Sequence, residues 1–273
     1  MSQRLVWDDT GKKKYTLGIH NVALYVSDPT AASGYGNGVA WDGVSAVNES
    51  PSGAEATDIY ANDAKYGTFR SAEQFGFTIE AYTSPEEFDQ CDGAATIGPG
   101  VKVHQQTRKP FGLVFCNTIG NDTQGMDFSE ELHIVYNATA SPSEKNNETV
   151  NESPDVSPLS WECSTTSVNI PGFKPASHLT FYKHLMDPAD WEALQDLVYG
   201  SSSGDATLPT PATIISMFGT TYSYTALTTE PSDWETKYYE KYYTKYNDKY
   251  TLIPRQDTYP TFVANQYYKR DES

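Results

Sequence analysis

Positive charge is scarce in this sequence: 19 Lys and Arg stand against 36 Asp and Glu over 273 residues, a formal net charge of −17. A chain so acidic repels phosphate backbones and gains nothing from counterion release, which argues against tight DNA or RNA binding and against anionic membrane surfaces. Cysteine is scarcer still. Cys91, Cys116 and Cys163 form an odd set with no CxxC spacing, so neither a disulfide framework nor a zinc knuckle is expected, and buried free thiols are the simplest account. No apolar run reaches the roughly 20 residues of a membrane-spanning helix. The start, "MSQRLVWDDTGKKKYTLG", lacks an apolar signal core, so Sec export is not expected. Signature catalytic motifs are missing too: there is no GxSxG, no HExxH and no Walker sequence.

Aromatic residues, by contrast, make up 13% of the chain, 20 of them Tyr, and 19 Gly and 16 Pro are scattered as turn punctuation. That composition favours strands. "GFTIEAYTS" alternates Phe77, Ile79 and Ala81 against Thr78, Glu80 and Tyr82, the period of a half-buried strand. "RKPFGLVFCNTIG" is apolar on both faces, as a strand between two layers would be, and "ELHIVYNATA", "SWECSTTSVNI" and "SHLTFYK" add further strands. The expected fold is mainly β: two packed antiparallel sheets in a sandwich or barrel, with short flanking helices. "DPADWEALQDLVYG" predicts one clear helix, capped by Asp187, opened by Pro188, with Trp191, Leu194, Leu197 and Val198 on its apolar stripe and Gly200 ending it. "PATIISMF" reads as a buried strand or a short helix. Charge divides the chain further. Residues 1–180 hold 11 basic and 23 acidic side chains and residues 181–230 hold 1 and 6, whereas residues 231–273 hold 7 and 7 together with 9 of the tyrosines. We expect a β-domain over 1–230 and a separate Tyr/Lys-rich appendage over 231–273, a helix followed by a hairpin.

The densest acidic stretch is "GFTIEAYTSPEEFDQCDG", with Glu80, Glu86, Glu87, Asp89 and Asp92. Helix-start chemistry accounts for most of it. Ser84 reads as N-cap, Pro85 as the first helical residue and Glu87 as the return half of a capping box. Glu86 and Glu87 then complement the helix dipole, Phe88 and Cys91 point inward, and Gly93 ends the turn. Glu80 alone is left over, on the polar face of its strand. "SGYGNG" reads as a flexible loop, since phosphate binding would want a strand–turn–helix and a lysine. "GNDTQGMD" offers Asn121, Asp122 and Asp127 to calcium but has neither EF-hand spacing nor its final glutamate. His133, within "ELHIVY", and the three cysteines read as structural. No catalytic, cofactor-binding or metal residue is assigned.

Four blocks together, "WDGVSAVNESPSGAEATDIYANDAKYGTFRSAEQFGFTIEAYTSPEEFDQCDG", "RKPFGLVFCNTIGNDTQG", "HIVYNATASPSEKNNETVNESP" and "GFKPASHLTF", resemble the major tail protein (tail tube protein) of siphophages infecting Gram-positive bacteria. The likeness covers about residues 17–230, in the expected order; residues 231–273 resemble only Trp/Tyr-rich appendages of assorted phage structural proteins. The resemblance implies a non-enzymatic virion protein of two packed sheets and a flanking helix, assembled in the host cytoplasm. It also implies hexameric rings stacked into the tail tube, with DNA passing through the bore without tight binding. The partners it implies are further copies of the chain and the tail terminator, distal tail and tape measure proteins. Glu80 becomes a candidate lumen charge. Segment 41–72, with Glu49, Ser50, Pro51, Glu55 and Asp58, becomes the candidate loop reaching the next ring. Two other readings compete: an adhesin or glycan-binding module using residues 231–268, and a sandwich hydrolase with Glu80 or Cys91 in a pocket.

Overall fold

The computed structural model describes residues 5, 7–145, 147, 149, 158–202, 204–218, 224–227, 243–245 and 267–270. The chain divides into two units, one formed by residues 1–168 and 175–209, the other by 169–174 and 210–273. The division thus falls at Pro209, ahead of the change in composition at residue 230.

The first unit is built on antiparallel strands: β1 (Lys14–Val26), β2 (Val39–Ala40), β3 (Val44–Glu49), β4 (Ser52–Gly53), β5 (Ala56–Ala61), β6 (Ala64–Arg70), β7 (Glu73–Gln74), β8 (Gly76–Ala81), β9 (Ala95–Gly98), β10 (Val101–Val103), β11 (Phe111–Asn121), β12 (Gly125–Ala140), β13 (Leu159–Thr165) and β14 (His178–Tyr182). Eight of these form one sheet in the order β2-β1-β11-β12-β13-β8-β3, with β14 also on β12. The expected two layers are this sheet folded onto itself. The 16-residue β12 makes the corner: Glu131–Val135 pair with β14 and Ala138–Ala140 with β13. At the other end of the order, β1 is bent by register shifts around Gly18 and Asn21, both at positive φ. Leu24 of β1, Phe111, Leu113 and Phe115 of β11, Ile79 of β8 and Trp161 of β13 thereby meet in one core, and Val44 and Val47 of β3 pack against it.

The helix α1 (Pro188–Tyr199) covers the other face of β1 and β11. Asp187 accepts a hydrogen bond from the Ala189 N–H at 2.9 Å, Pro188 opens the helix, and Trp191, Leu194 and Val198 are buried, as the sequence predicts. Tyr25 Oη donates to the Val198 carbonyl, Cys116 Sγ lies 3.3 Å from Tyr199 Oη, and Tyr136 Oη donates to the Pro209 carbonyl at 2.9 Å. Core on one face and these groups on the other explain why β11 is apolar on both.

The capping box fails. Residues Glu86–Gln90 form a 3-10 turn whose cap is Pro85, at φ −66° and ψ 154°, with no side-chain cap bond. The extended proline starts the turn one residue later than the motif requires, so Ser84 is not at the cap position. Phe88 and Cys91 are buried as expected, and Phe88 wedges edge-on between Phe111 and Trp161 at centroid distances of 5.5 and 5.2 Å.

In the second unit, α2 (Pro211–Phe218) settles "PATIISMF" as a helix, with Thr210 Oγ1 accepting from the Thr213 N–H at 3.2 Å. Strands β15 (Tyr224–Leu227), β16 (Tyr243–Lys245) and β17 (Tyr267–Arg270) pair in the order β15-β17-β16. Tyr243–Lys245 is therefore strand where a tyrosine-faced helix was expected. Pairing across a sheet overrides the local 3.6-residue pattern there. The rest of that expected helix and most of the segment assigned to glycan contact lie outside the described residues.

Candidate assembly interface

Between β3 and β8 the chain leaves the barrel. Ser50 N–H donates to the Gly76 carbonyl at 2.8 Å, and β4 pairs with β7 through Ser52↔Gln74 and Gly53↔Glu73. Gly53 sits at φ +82°, where a Cβ would lie 2.5 Å from the Ala72 carbonyl oxygen, so only glycine fits this root. Beyond it, β5 and β6 pair from Ala56↔Arg70 to Ala61↔Ala64. Asn62 and Asp63 turn the hairpin, both at positive φ (52° and 59°), the two-residue turn that matches strand twist. Asp58 takes Lys65 Nζ at 2.8 Å and the Thr68 hydroxyl at 2.7 Å. The lysine first, then the threonine, holds its carboxyl below the ordinary aspartate value.

This arm hides almost nothing. Ile59, Tyr60, Tyr66 and Phe69 are 44%, 68%, 78% and 60% exposed. A lone two-stranded hairpin is marginal in water, and this one carries exposed apolar side chains on both faces, Ile59 and Phe69 on one and Tyr66 on the other. A second, smaller hairpin, β9–β10, leaves Ile97, Val101 and Val103 exposed and is tied back by Lys102 to Asp89 at 2.5 Å.

The structure redraws the segment chosen as an inter-ring loop. Trp41 is a core residue and β3 belongs to the main sheet, so residues 41–49 are barrel. Glu49 and Ser50 stand at the arm's root, Pro51 just beyond it, and Glu55 and Asp58 on the arm itself. The aromatics that give the arm its character are Tyr60, Tyr66 and Phe69, which local sequence does not distinguish from the aromatics of a packed strand.

Glu80 lies half-buried on the outward face of β8. Asn48 donates to its Oε1 at 3.2 Å, and its own carbonyl accepts from Ser45 Oγ at 3.1 Å. With Thr78 and the exposed Asn48, Ser160, Glu162 and Ser164, it covers a face of β3, β8 and β13 that carries no Lys or Arg. Two further carboxylates of the acidic stretch are paired locally: Arg108 and Lys145 approach Asp92 at 3.3 and 3.2 Å, and Lys102 takes Asp89.

Chemistry finds little purchase among these groups. Burial pushes the Cys91 and Cys163 thiols up to about 12 and Cys116 to about 11, far from the thiolate a nucleophile needs. In "GNDTQGMD", Asn121 Oδ1 accepts from the N–H groups of Thr123 and Gln124 at 3.2 and 2.6 Å, and Asp122 Oδ1 accepts from the Gly11 N–H at 2.9 Å. Those oxygens are occupied holding a turn. Among the described residues no helix is long and apolar enough to cross a membrane. One constellation escaped sequence reasoning: Glu49, His133 and His178 converge from β3, β12 and β14. Only the pairing of β14 on β12 brings the two histidines together, and nothing in the local sequence announces it.

No family model and no curated protein matches the chain. Among solved structures, a chain of the anti-feeding prophage (AFP) baseplate is similar over 66% of this chain and 97% of its own, at 8% identity and a TM-score of 0.32. A chain of the sheath/tube terminator of PVC, an extracellular contractile injection system, is similar over 61% of this chain and 97% of its own, at 13% identity and a TM-score of 0.29. Likeness at this level assigns neither family nor function.

Proposed function

We propose that this chain is a structural subunit of a phage tail, which polymerises with copies of itself into stacked hexameric rings and forms the tube through which DNA leaves. The observation that carries the reading is the β4–β7 arm: a 23-residue region, 52–74, with four large apolar side chains in water. A second copy is the occupant that suits it. The arm's own barrel buries none of those side chains, and a subunit that repeats along a tube presents the same receiving surface at every step. The Lys- and Arg-free face around Glu80 fits a bore, because it repels phosphate where basic contacts would hold the DNA at every ring. Terminator, distal tail and tape measure proteins would meet the same surfaces at the ends and inside of such a tube.

Electron microscopy of the purified protein at high concentration tests the reading, with rings or tubes as the expected outcome. Replacing residues 54–71 by a short Gly-Ser turn is expected to leave a folded, monomeric barrel. Tubes formed by that variant, or a wild-type chain that stays a single particle, would overturn it.

A further inference from the structure

The polar end of the core holds a site of a different kind. His133 is buried on the inward face of β12, its ring stacked on Phe115 at 4.5 Å and 5° between planes. His178 enters from β14, stacked on Phe75 at 4.3 Å. His133 Nδ1 and His178 Nε2 face each other at 2.9 Å, and Glu49 Oε1, from the end of β3, lies 3.7 Å from the first and 3.9 Å from the second. Thr180 Oγ1 is 3.4 Å from both nitrogens. Behind them, Glu131 Oε1 is 3.4 Å from His133 Nε2, and Asn117 Nδ2 is 3.3 Å from that nitrogen and 3.4 Å from the carboxylate.

We infer that Glu49, His133 and His178 form a binding site for one borderline divalent cation, zinc by the chemistry of its donors. Two imidazoles and a carboxylate are a donor set that zinc takes, with a fourth position left for water. Ligand bonds of 2.0–2.1 Å in a tetrahedron place donors roughly 3.3 Å apart. The three separations here, 2.9, 3.7 and 3.9 Å, bracket that value, so closure takes shifts of a few tenths of an ångström. Glu131 completes the arrangement. With a cation on Nδ1, the His133 Nε2 proton would have Glu131 Oε1, 3.4 Å away, as its acceptor, the outer-shell role a carboxylate plays behind a metal-bound histidine. His178 also lines a cleft of about 300 Å³ with Phe75, Pro175 and Ser177, a path from solvent. Glu49 is the last residue of β3, immediately before the arm's root. A cation there would fasten that root to β12 and β14.

The full-length protein, stripped with chelator, is titrated with Zn²⁺ against a chromophoric chelator and separately with Co²⁺. We expect one Zn²⁺ per chain and intense visible bands from low-coordinate Co²⁺. His178→Gln should weaken Zn²⁺ binding by at least about 100-fold and abolish the bands, and Glu131→Gln should weaken it by about 10-fold. Glu49→Gln, at a half-exposed position that folding tolerates, should weaken it by about 10-fold or more. His104→Gln, at an exposed histidine, should change nothing. Hydrogen exchange at residues 49–53 should slow on adding Zn²⁺. Should His133→Gln fail to fold, the Glu49 and His178 variants decide. No Zn²⁺ bound by the wild type, or equal affinity in folded Glu49→Gln and His178→Gln, would show the trio to be a hydrogen-bonded cluster only.

Discussion

The barrel strand β8 and the arm strand β6 are made of the same material. β8 alternates apolar with polar residues, Phe77-Thr78-Ile79-Glu80, and pairs antiparallel with β3 and β13; β6 mixes them as Tyr66-Gly67-Thr68-Phe69, an aromatic on each face, and pairs antiparallel with β5. In β8 the apolar half is fully buried, opposite Trp161 and Leu24; in β6 it stands in water. The difference is one of closure. β8 has partners on both sides and a layer across from it, whereas β6 has one partner and nothing above either face. Burial of apolar area is what makes a strand stable in isolation; β8 has that burial within its own chain, and the arm leaves its large apolar side chains in water.

Cutting into each region in turn gives the largest contrast. Trp161→Ala should cost the unassembled protein about 3–5 kcal/mol in urea unfolding, the usual toll of an emptied aromatic site. Tyr66→Ala should change that stability by no more than about 0.5 kcal/mol while abolishing tube formation. Equal losses of stability would mean the arm already packs on its own barrel. Thiol labelling sharpens the same division. Native Cys91 and Cys163, buried and raised to about 12, should react at least about a thousandfold more slowly at neutral pH than an ordinary thiol. A cysteine introduced as Ile59→Cys should react at an ordinary rate in the monomer and become protected in tubes. The smallest effect concerns Asp58. Its folded-state carboxyl lies below its unfolded value because of Lys65 and Thr68. The support it lends the hairpin is therefore present above about pH 4 and lost as pH falls through the folded midpoint. NMR titration should put that midpoint below about 3.9, and Asp58→Asn should speed amide exchange in β5 and β6 without touching β11 or β12.

How far each feature could be read before folding follows the range of the forces behind it. The α1 helix was legible because Asp187, Pro188, Trp191, Leu194 and Gly200 act within a dozen residues of one another. So was the double-sided burial of β11, since a strand apolar on both faces can only lie between layers. Ser84 misled because a capping box is a pattern of residue types, while the backbone at Pro85 decides where the turn begins. Tyr243–Lys245 misled in the same way, a helical spacing overruled by pairing with β17.

Composition and local pattern by themselves settled a mainly β, anionic chain with inert thiols and one well-capped helix, because charge, alternation and capping need no distant partner. Three things waited on the tertiary structure: the fold of one sheet onto itself around Trp161, the arm left standing outside it, and the meeting of Glu49 with His133 and His178. Each joins residues tens of positions apart. Strand order and register, which no short window encodes, decide which side chains are covered and which are left facing water or one another.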